Sequence, residues 1–243
     1  MTFSGKTILI TGAASGIGLA TAIQFAELGA VVFGLDKKDL KQSRPYFPEN
    51  LTFRSCDVTA DNELSATLTE ILQNHSIDIL VNNAAINPSP SSITETPTPL
   101  WEEVLETNLS SIFNISKSII PHMKKGIIIN ISSILGIVGA RQCAAYSASK
   151  GAIIALTKSM ALDYAPNIRV NCICPGAIQT NMLETYLKRC PDPEAEKERI
   201  ISAIPLQRLG TAQDIADAAI FLASDQASWI TGISLIVDGG DSI

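Results

Sequence analysis

The chain has 243 residues, 46% hydrophobic and 17% charged, with a formal net charge of −6 at pH 7. That balance is globular and argues against a nucleic-acid partner, which needs a basic face. No uninterrupted run of 18 apolar residues occurs, so no membrane span is expected.

Met1-Thr2-Phe3-Ser4 lacks the basic start and apolar run of a secretion signal, which makes the cytoplasm the expected compartment. Two histidines, His75 and His122, would supply zinc chemistry poorly, and no metal site is expected. The five cysteines are scattered without a C-x-x-C pair. Cys172 and Cys174 alternate along a strand pattern, face one way, and read as buried small hydrophobes.

In chain order, Ile- and Val-rich runs recur at 6–11, 30–35, 51–56, 77–82, 126–132, 168–174 and 233–238. Segments with helical apolar spacing lie between them at 16–29, 61–74, 100–120, 144–165 and 212–224. Continuous apolar strands are covered on both faces, the mark of a parallel sheet between helix layers. Seven strands and about six helices predict an α/β fold, one doubly wound parallel sheet in a single domain over 1–243. Residues 88–99 read as a polar, proline-dotted loop. Residues 177–205 are the least sheet-like, and the charged stretch Asp192 to Arg199 reads as a solvated helix face.

Ligands of such sheets sit beyond the carboxyl ends of the strands. After the first strand comes T-G-A-A-S-G-I-G, with Thr11, Gly12, Gly16 and Gly18. Glycines there allow a tight turn and close approach to a pyrophosphate, while the helix start supplies free N–H groups and positive dipole. After the second strand comes Asp36, a carboxylate that can accept both ribose hydroxyls of an adenosine. Against a 2′-phosphate about 4 Å away it would be repelled by roughly 4 kcal/mol at an effective dielectric near 20, which favours NAD over NADP. Ser15, where a basic residue would serve NADP, is neutral; Lys37 and Lys38 read as solvated loop residues or as partners for a phosphate. Asp57-Val58 follows the third strand, where the carboxylate suits either an adenine amino group or a helix N-cap. The fourth strand runs into Asn82-Asn83-Ala84-Ala85.

The fifth strand ends at Ser132-Ser133, and A-Y-S-A-S-K-G follows, with Tyr146 and Lys150 one helical turn apart. Chance alone gives such a pair in roughly one chain in five of this composition, so its meaning comes from its place at the mouth of the glycine-turn crevice. A free phenol has a pKa near 10, and about three units of lowering correspond to roughly 4 kcal/mol. A neighbouring ammonium can supply most of that, so the expectation is that Lys150 lowers the Tyr146 phenol until it can relay the hydroxyl proton during hydride transfer. Taken singly, Ser133 also suits a strand-end turn, Tyr146 a core position, and Asn108 a helix backbone partner.

Together these motifs resemble the short-chain dehydrogenase/reductase family in its tyrosine-dependent form. The likeness runs nearly the whole chain: T-G-x-x-x-G-I-G at 11–18, D-V at 57–58, N-N-A at 82–84, Asn108, N-I-S-S at 130–133, Y-x-x-x-K at 146–150, N-x-x-x-P-G at 171–176, Thr180, and I-T-G…V-D-G-G at 230–240. The resemblance implies a Rossmann fold and four catalytic residues. Ser133 would orient the substrate oxygen, Tyr146 act as general acid/base, Lys150 also hold the ribose, and Asn108 fix a relay water. It implies nucleotide contacts from Gly12, Ser15, Gly16, Ile17 and Gly18, from Asp36, Asp57 and Val58, and from Asn83, Ala84 and Ala85, with Asn82 also on the adenosine side. Pro175-Gly176 would close over the nicotinamide, with the Ile178 backbone and Thr180 hydroxyl at its carboxamide. Ala85 departs from the family's usual glycine and would be strained at positive φ.

The same resemblance implies a homotetramer, or a dimer, assembled through the helices at 100–124 and 144–165. Ala144, Ala148, Ala152 and Ala155 suit close helix approach or monomer core packing equally. The substrate pocket is expected from Asn87, Ser133, residues 134–143 and a lid at 177–205 with Met182, Leu183 and Tyr186. That lining suits a small alcohol or ketone. Arg141, Lys188 and Arg189 read as solvent-facing or as anchors for an anionic substrate group. The expected activity is NAD-linked dehydrogenation of a small secondary alcohol, hydroxy acid or polyol. The alternatives are 3-oxoacyl-carrier-protein reduction and, more remotely, dinucleotide sensing without catalysis.

Overall fold

In the computed structural model, which describes residues 1–38, 47–88 and 90–243, seven strands pair in parallel in the order 3-2-1-4-5-6-7. They are β1 (Thr7–Thr11), β2 (Val31–Asp36), β3 (Leu51–Ser55), β4 (Ile79–Asn82), β5 (Gly126–Ile131), β6 (Ile168–Pro175) and β7 (Ser234–Val237). Chain direction across the sheet reverses between β1 and β4, which creates the switch-point crevice. Register brings the strand ends level: Thr11 pairs with Leu35, Asn82 with Asn130, Ile131 with Ile173 and Pro175 with Val237. The residues just beyond those pairs therefore emerge along one edge.

Strand alternation explains the unbroken apolar runs. Ile8, Ile10, Val81, Ile129 and Ile173 pack one face against α1 (Gly16–Glu27) and α8 (Ala212–Ala223). Leu9, Leu80, Ile128 and Val170 pack the other against α2 (Asp61–Asn74), α4 (Ser111–Ile119) and α5 (Ala144–Tyr164). Each fully buried Ile or Leu contributes roughly 1.5–3 kcal/mol, so both layers are needed to hold the sheet. The start of α8 is fixed by a capping box in which the side chains of Thr211 and Asp214 each take the other's backbone N–H.

Two segments differ from expectation. The apolar period at 100–120 is broken into α3 (Thr98–Leu105), a π turn (Glu106–Ser110) and α4. One extra residue in a turn barely disturbs hydrophobic spacing, so the period could not show it. Residues 177–205 contain α6 (Asn181–Leu187) and α7 (Pro193–Ala203). No residue of α7 is fully buried, yet its charges are not merely solvated. The Tyr186 hydroxyl donates to Glu196 at 2.8 Å, and Arg199 grips the same carboxylate with two 2.8 Å bonds. Those bonds, Arg199 first, hold the Glu196 carboxyl at about 2. In the polar loop at 88–99, Ser89 lies outside the described residues; Ser91 N–H donates to the Gln142 carbonyl at 3.0 Å, docking the loop on the approach to α5.

Candidate active site

The glycine turn is tight for visible reasons. Gly12 and Gly16 are left-handed, with φ of +64° and +54°, and a Cβ on Gly18 would overlap the Gly12 carbonyl oxygen. The turn is held from β4: Thr11 Oγ1 accepts the N–H groups of Asn83 and Ala84 at 3.0 Å, and Asn83 Nδ2 donates to the carbonyls of Thr11 and Gly12. Asn83 thus braces the turn. Asn82, expected on the adenosine side, instead points into the protein, donating to Asn130 Oδ1 at 2.9 Å. Strand alternation sends neighbouring side chains to opposite faces.

A cleft of about 220 Å³ opens between this turn and the ends of β2 to β4, bounded by Gly12, Asp36, Asp57, Val58, Ala84 and Ile86. Asp36 takes the N–H of Ala14 on one oxygen and that of Lys38 on the other, both at 3.0 Å. Glu103 and Glu106 stand on the rim with Lys37. Asp57 is not a helix cap, since Ala60 occupies that position of α2. It folds its own turn by accepting the N–H and hydroxyl of Thr59, which lower its pKa. The methyl of Ala85 is unstrained: among described residues only Gln142 and Gln207 combine a side chain with positive φ.

Across the sheet, Pro175 ends β6 and Gly176 passes so close to β7 that a Cβ would stand 2.7 Å from that of Asp238. Ala177 and Gln179 pair with Gly210, so the N–H and carbonyl of Ile178 face away from that bridge. Thr180 heads α6 and leans over the glycine turn, where a Cβ on Gly16 would come within 3.2 Å of its methyl carbon.

Tyr146, Lys150 and Ser133 converge beyond β5. Ser133 caps a 3-10 turn (Ile134–Gly136) by accepting Leu135 N–H, so the turn reading and the site reading hold together. That turn packs against α5 at Gly136, where a Cβ would lie 2.7 Å from the Lys150 carbonyl carbon. The Ser132 hydroxyl holds the Lys150 carbonyl at 2.7 Å. Ser132 stood out in the sequence only as part of N-I-S-S, without this role, and Gly136 did not, although a glycine three residues after a strand-end serine was the available signal. Lys150 Nζ lies 5.6 Å from the centre of the Tyr146 ring and donates to the Ile131 carbonyl at 2.8 Å.

The expected lowering of the phenol is not found in the protein by itself. Burial pushes Tyr146 up to about 12, and the group that draws it back is the Ser133 hydroxyl. Burial also brings the Lys150 ammonium down to about 8. Desolvation disfavours charge on both, and it outweighs the single cation–phenol attraction on which the sequence argument rested.

Asn108 sits fully buried in the π turn, its amide bonded to the Ile86 peptide and to Ser149. Cys172 and Cys174 do face one way, with sulfurs 3.9 Å apart behind Lys150. Arg141, Lys188 and Arg189 are exposed. On α5, Ala148 and Ala155 are exposed and Ala144 and Ala152 half-buried, so monomer packing takes up only part of this stripe. No helix among the described residues is long and apolar enough to cross a membrane.

A parallel sheet of this order, opening at its switch point beside a glycine turn, is a Rossmann-type nucleotide-binding architecture. The chain belongs to the short-chain dehydrogenase/reductase family of NAD(P)-dependent oxidoreductases; residues 12–242 match the family model described as enoyl-(acyl carrier protein) reductase. L-fucose dehydrogenase of Oryctolagus cuniculus is 39% identical over 98% of this chain and 85% of its own length. Among solved structures, the ligand-free aldohexose dehydrogenase AldT of Thermoplasma acidophilum superposes with a TM-score of 0.91 at 35% identity, covering 98% of this chain and 94% of that one. The 3-ketoacyl-(acyl-carrier-protein) reductase of Brucella melitensis in complex with NADH superposes with a TM-score of 0.89 at 32% identity over 99% of each chain.

Proposed function

We propose that this protein is an NAD-linked dehydrogenase of a small secondary alcohol, hydroxy acid or polyol. The observation that carries the reading is the convergence of Tyr146, Lys150 and Ser133 beside the nucleotide cleft, with the phenol drawn by Ser133 and backed by the ammonium. A bound nicotinamide dinucleotide supplies the hydride acceptor or donor. Gly12, Ser15, Gly16, Ile17 and Gly18 cradle its phosphates, Asp36 its ribose, Asp57 and Val58 its adenine, and Ala84 and Ala85 the cleft wall, while Pro175 to Thr180 border the nicotinamide side. Ser133 orients the substrate oxygen. Tyr146 takes or gives the hydroxyl proton, and Lys150, still protonated at pH 7, favours the phenolate as it forms. Asn108 serves this site by fixing the Ile86 segment and α5.

NAD is favoured over NADP by charge. Among the described residues that line the cleft, Asp36, Asp57, Glu103 and Glu106 are set against Lys37, and a 2′-phosphate would face that field. Residues 177–205 act as the substrate lid of a single-domain chain. The outward alanines of α5, with the exposed Phe113 of α4, suit a homotetramer or dimer in the cytoplasm.

The polyol end of the range draws support from the L-fucose and aldohexose dehydrogenases among the relatives. The alternative, 3-oxoacyl-carrier-protein reduction, draws support from the Brucella relative; because that enzyme was solved with NADH, coenzyme preference alone does not separate the two. The test is a screen of L-fucose, aldohexoses, hydroxy acids and simple alcohols with NAD at alkaline pH, following reduced nicotinamide, beside acetoacetyl thioesters with NADH and NADPH. Turnover of thioesters alone would favour the alternative. NAD binding without any turnover would leave a dinucleotide sensor.

A further inference from the structure

Ser149 lies on α5 between the tyrosine and the lysine, and nothing in the nucleotide cleft or the acid/base pair requires a hydroxyl there. Its neighbours give it one. Asn108 Oδ1 accepts the Ile86 N–H at 2.8 Å, and Asn108 Nδ2 donates to the Ile86 carbonyl at 2.9 Å. Donating to and accepting from one residue fixes which way the amide faces. The remaining hydrogen of Nδ2 goes to Ser149 Oγ at 3.1 Å, and the Ser149 hydroxyl donates its own hydrogen bond to the Tyr146 carbonyl at 2.7 Å. Asn108 and Ser149 are both 0% exposed, so water does not compete for these bonds. Ile86 lines the nucleotide cleft beside Ala84 and Ala85.

We propose that Ser149 is a positioning residue: through Asn108 it ties the first turn of α5, and with it the Tyr146 phenol, to the wall of the nucleotide cleft. A helical serine often bonds a carbonyl one turn back, and by itself that bond means little. Here the hydroxyl accepts from a second element while it donates, closing a chain from Ile86 to Tyr146 in a dry interior where linked bonds strengthen one another. The π turn is what brings Asn108 to this point, since Asn108 lies within it. Misplacing a reacting group by about 1 Å can cost 10²-fold in rate, so the hold on this turn bears on catalysis.

The inference rests on Tyr146 being the acid/base, and Tyr146→Phe is therefore measured alongside. The probes are NAD with L-fucose and NADH with acetoacetyl-CoA. Ser149→Ala is expected to lower kcat about tenfold, to leave KM for NAD within about twofold and to leave the pH profile in place. Ser147→Ala, which removes a neighbouring hydroxyl that has no hydrogen-bond partner among the described residues, is expected to keep wild-type kcat. Adding Asn108→Ala to Ser149→Ala should cost no more than the worse single change, because one chain is broken once. Crystal structures need no substrate: in Ser149→Ala the Tyr146 hydroxyl should move by more than about 0.5 Å relative to Ser133. Ser149→Cys fills the site with a weak donor, keeps the test open if the alanine variant does not fold, and should also lose rate. An unmoved phenol, or wild-type kcat in a folded Ser149 variant, overturns the inference. Full activity in Tyr146→Phe instead overturns the acid/base reading on which it stands.

Discussion

The ammonium of Lys150 lies 5.6 Å from the centre of the Tyr146 ring while its hydrogen bond goes to the Ile131 carbonyl, 2.8 Å away. Both groups are buried and both resist their charged forms, the phenol at about 12 and the ammonium at about 8. Phenolate formed beside ammonium would relieve what each charge costs alone, which is how the proposed acid/base pair would act. Tyr146→Phe should therefore keep NAD affinity and lose about 10²–10⁴-fold in kcat, the usual span of a positioned acid/base group. Fluorescence titration with NADH and steady-state kinetics check the two halves.

The same burial makes stability depend on alkaline pH. The Lys150 ammonium titrates near 8 in the folded protein against an ordinary 10.5, so the unfolded chain binds more protons between those values. Stability from this group then rises with pH across that window, and the cost of the buried ammonium is fully present below it. Tyr146, raised from 10 to about 12, acts oppositely, and stability falls as pH climbs through that higher range. Denaturant unfolding of wild type and Lys150→Met, compared at pH 7 and pH 10, should show the wild type closing the gap by up to about 3 kcal/mol.

Asp36 should set coenzyme choice. In Asp36→Ala, kcat/KM with NAD should drop, and the NAD-to-NADP ratio should narrow by about 10²-fold, within the roughly 4 kcal/mol repulsion of two charges about 4 Å apart. An unchanged ratio would shift the discrimination to Glu103 and Glu106.

Gly16 faces Thr180 with φ of +54°, and a Cβ there would be crowded, 3.2 Å from the Thr180 methyl carbon. Gly16→Ala should cost about 1 kcal/mol in stability from backbone strain, and raise KM for NAD severalfold as α6 is pushed off the turn. Thermal unfolding and kinetics measure these separately.

The outward stripe of α5 and the exposed ring of Phe113 predict assembly. Ala148→Glu combined with Phe113→Glu should leave a folded protein of smaller mass by light scattering, because charge buried in a helix interface is not tolerated unpaired. An unchanged mass would place assembly on another face.

Much of this molecule was legible before folding. Strand runs buried on both faces, the glycine turn, Asp36 and the Tyr146–Lys150 spacing are local patterns, and each strand fell within one or two residues of its expected place. The side of Asn82, the local turn at Asp57 and the π turn at Asn108 were not legible. The first and the last depend on partners distant in sequence: Asn130, Ile86 and Ser149 lie 48, 22 and 41 residues from the groups they bond. The Thr59 bond to Asp57, by contrast, is local, but an acidic residue before a helix suits a cap and a turn equally.

By itself, then, the order of residues determined the sheet, its crevice and the chemical groups delivered to the crevice, because periodicity and turn chemistry act over a few residues. Only the tertiary structure decided how those groups are charged and held. Desolvation of Tyr146 and Lys150, and the closed bond chain through Asn108, arise from many surrounding atoms that come together only when distant segments pack.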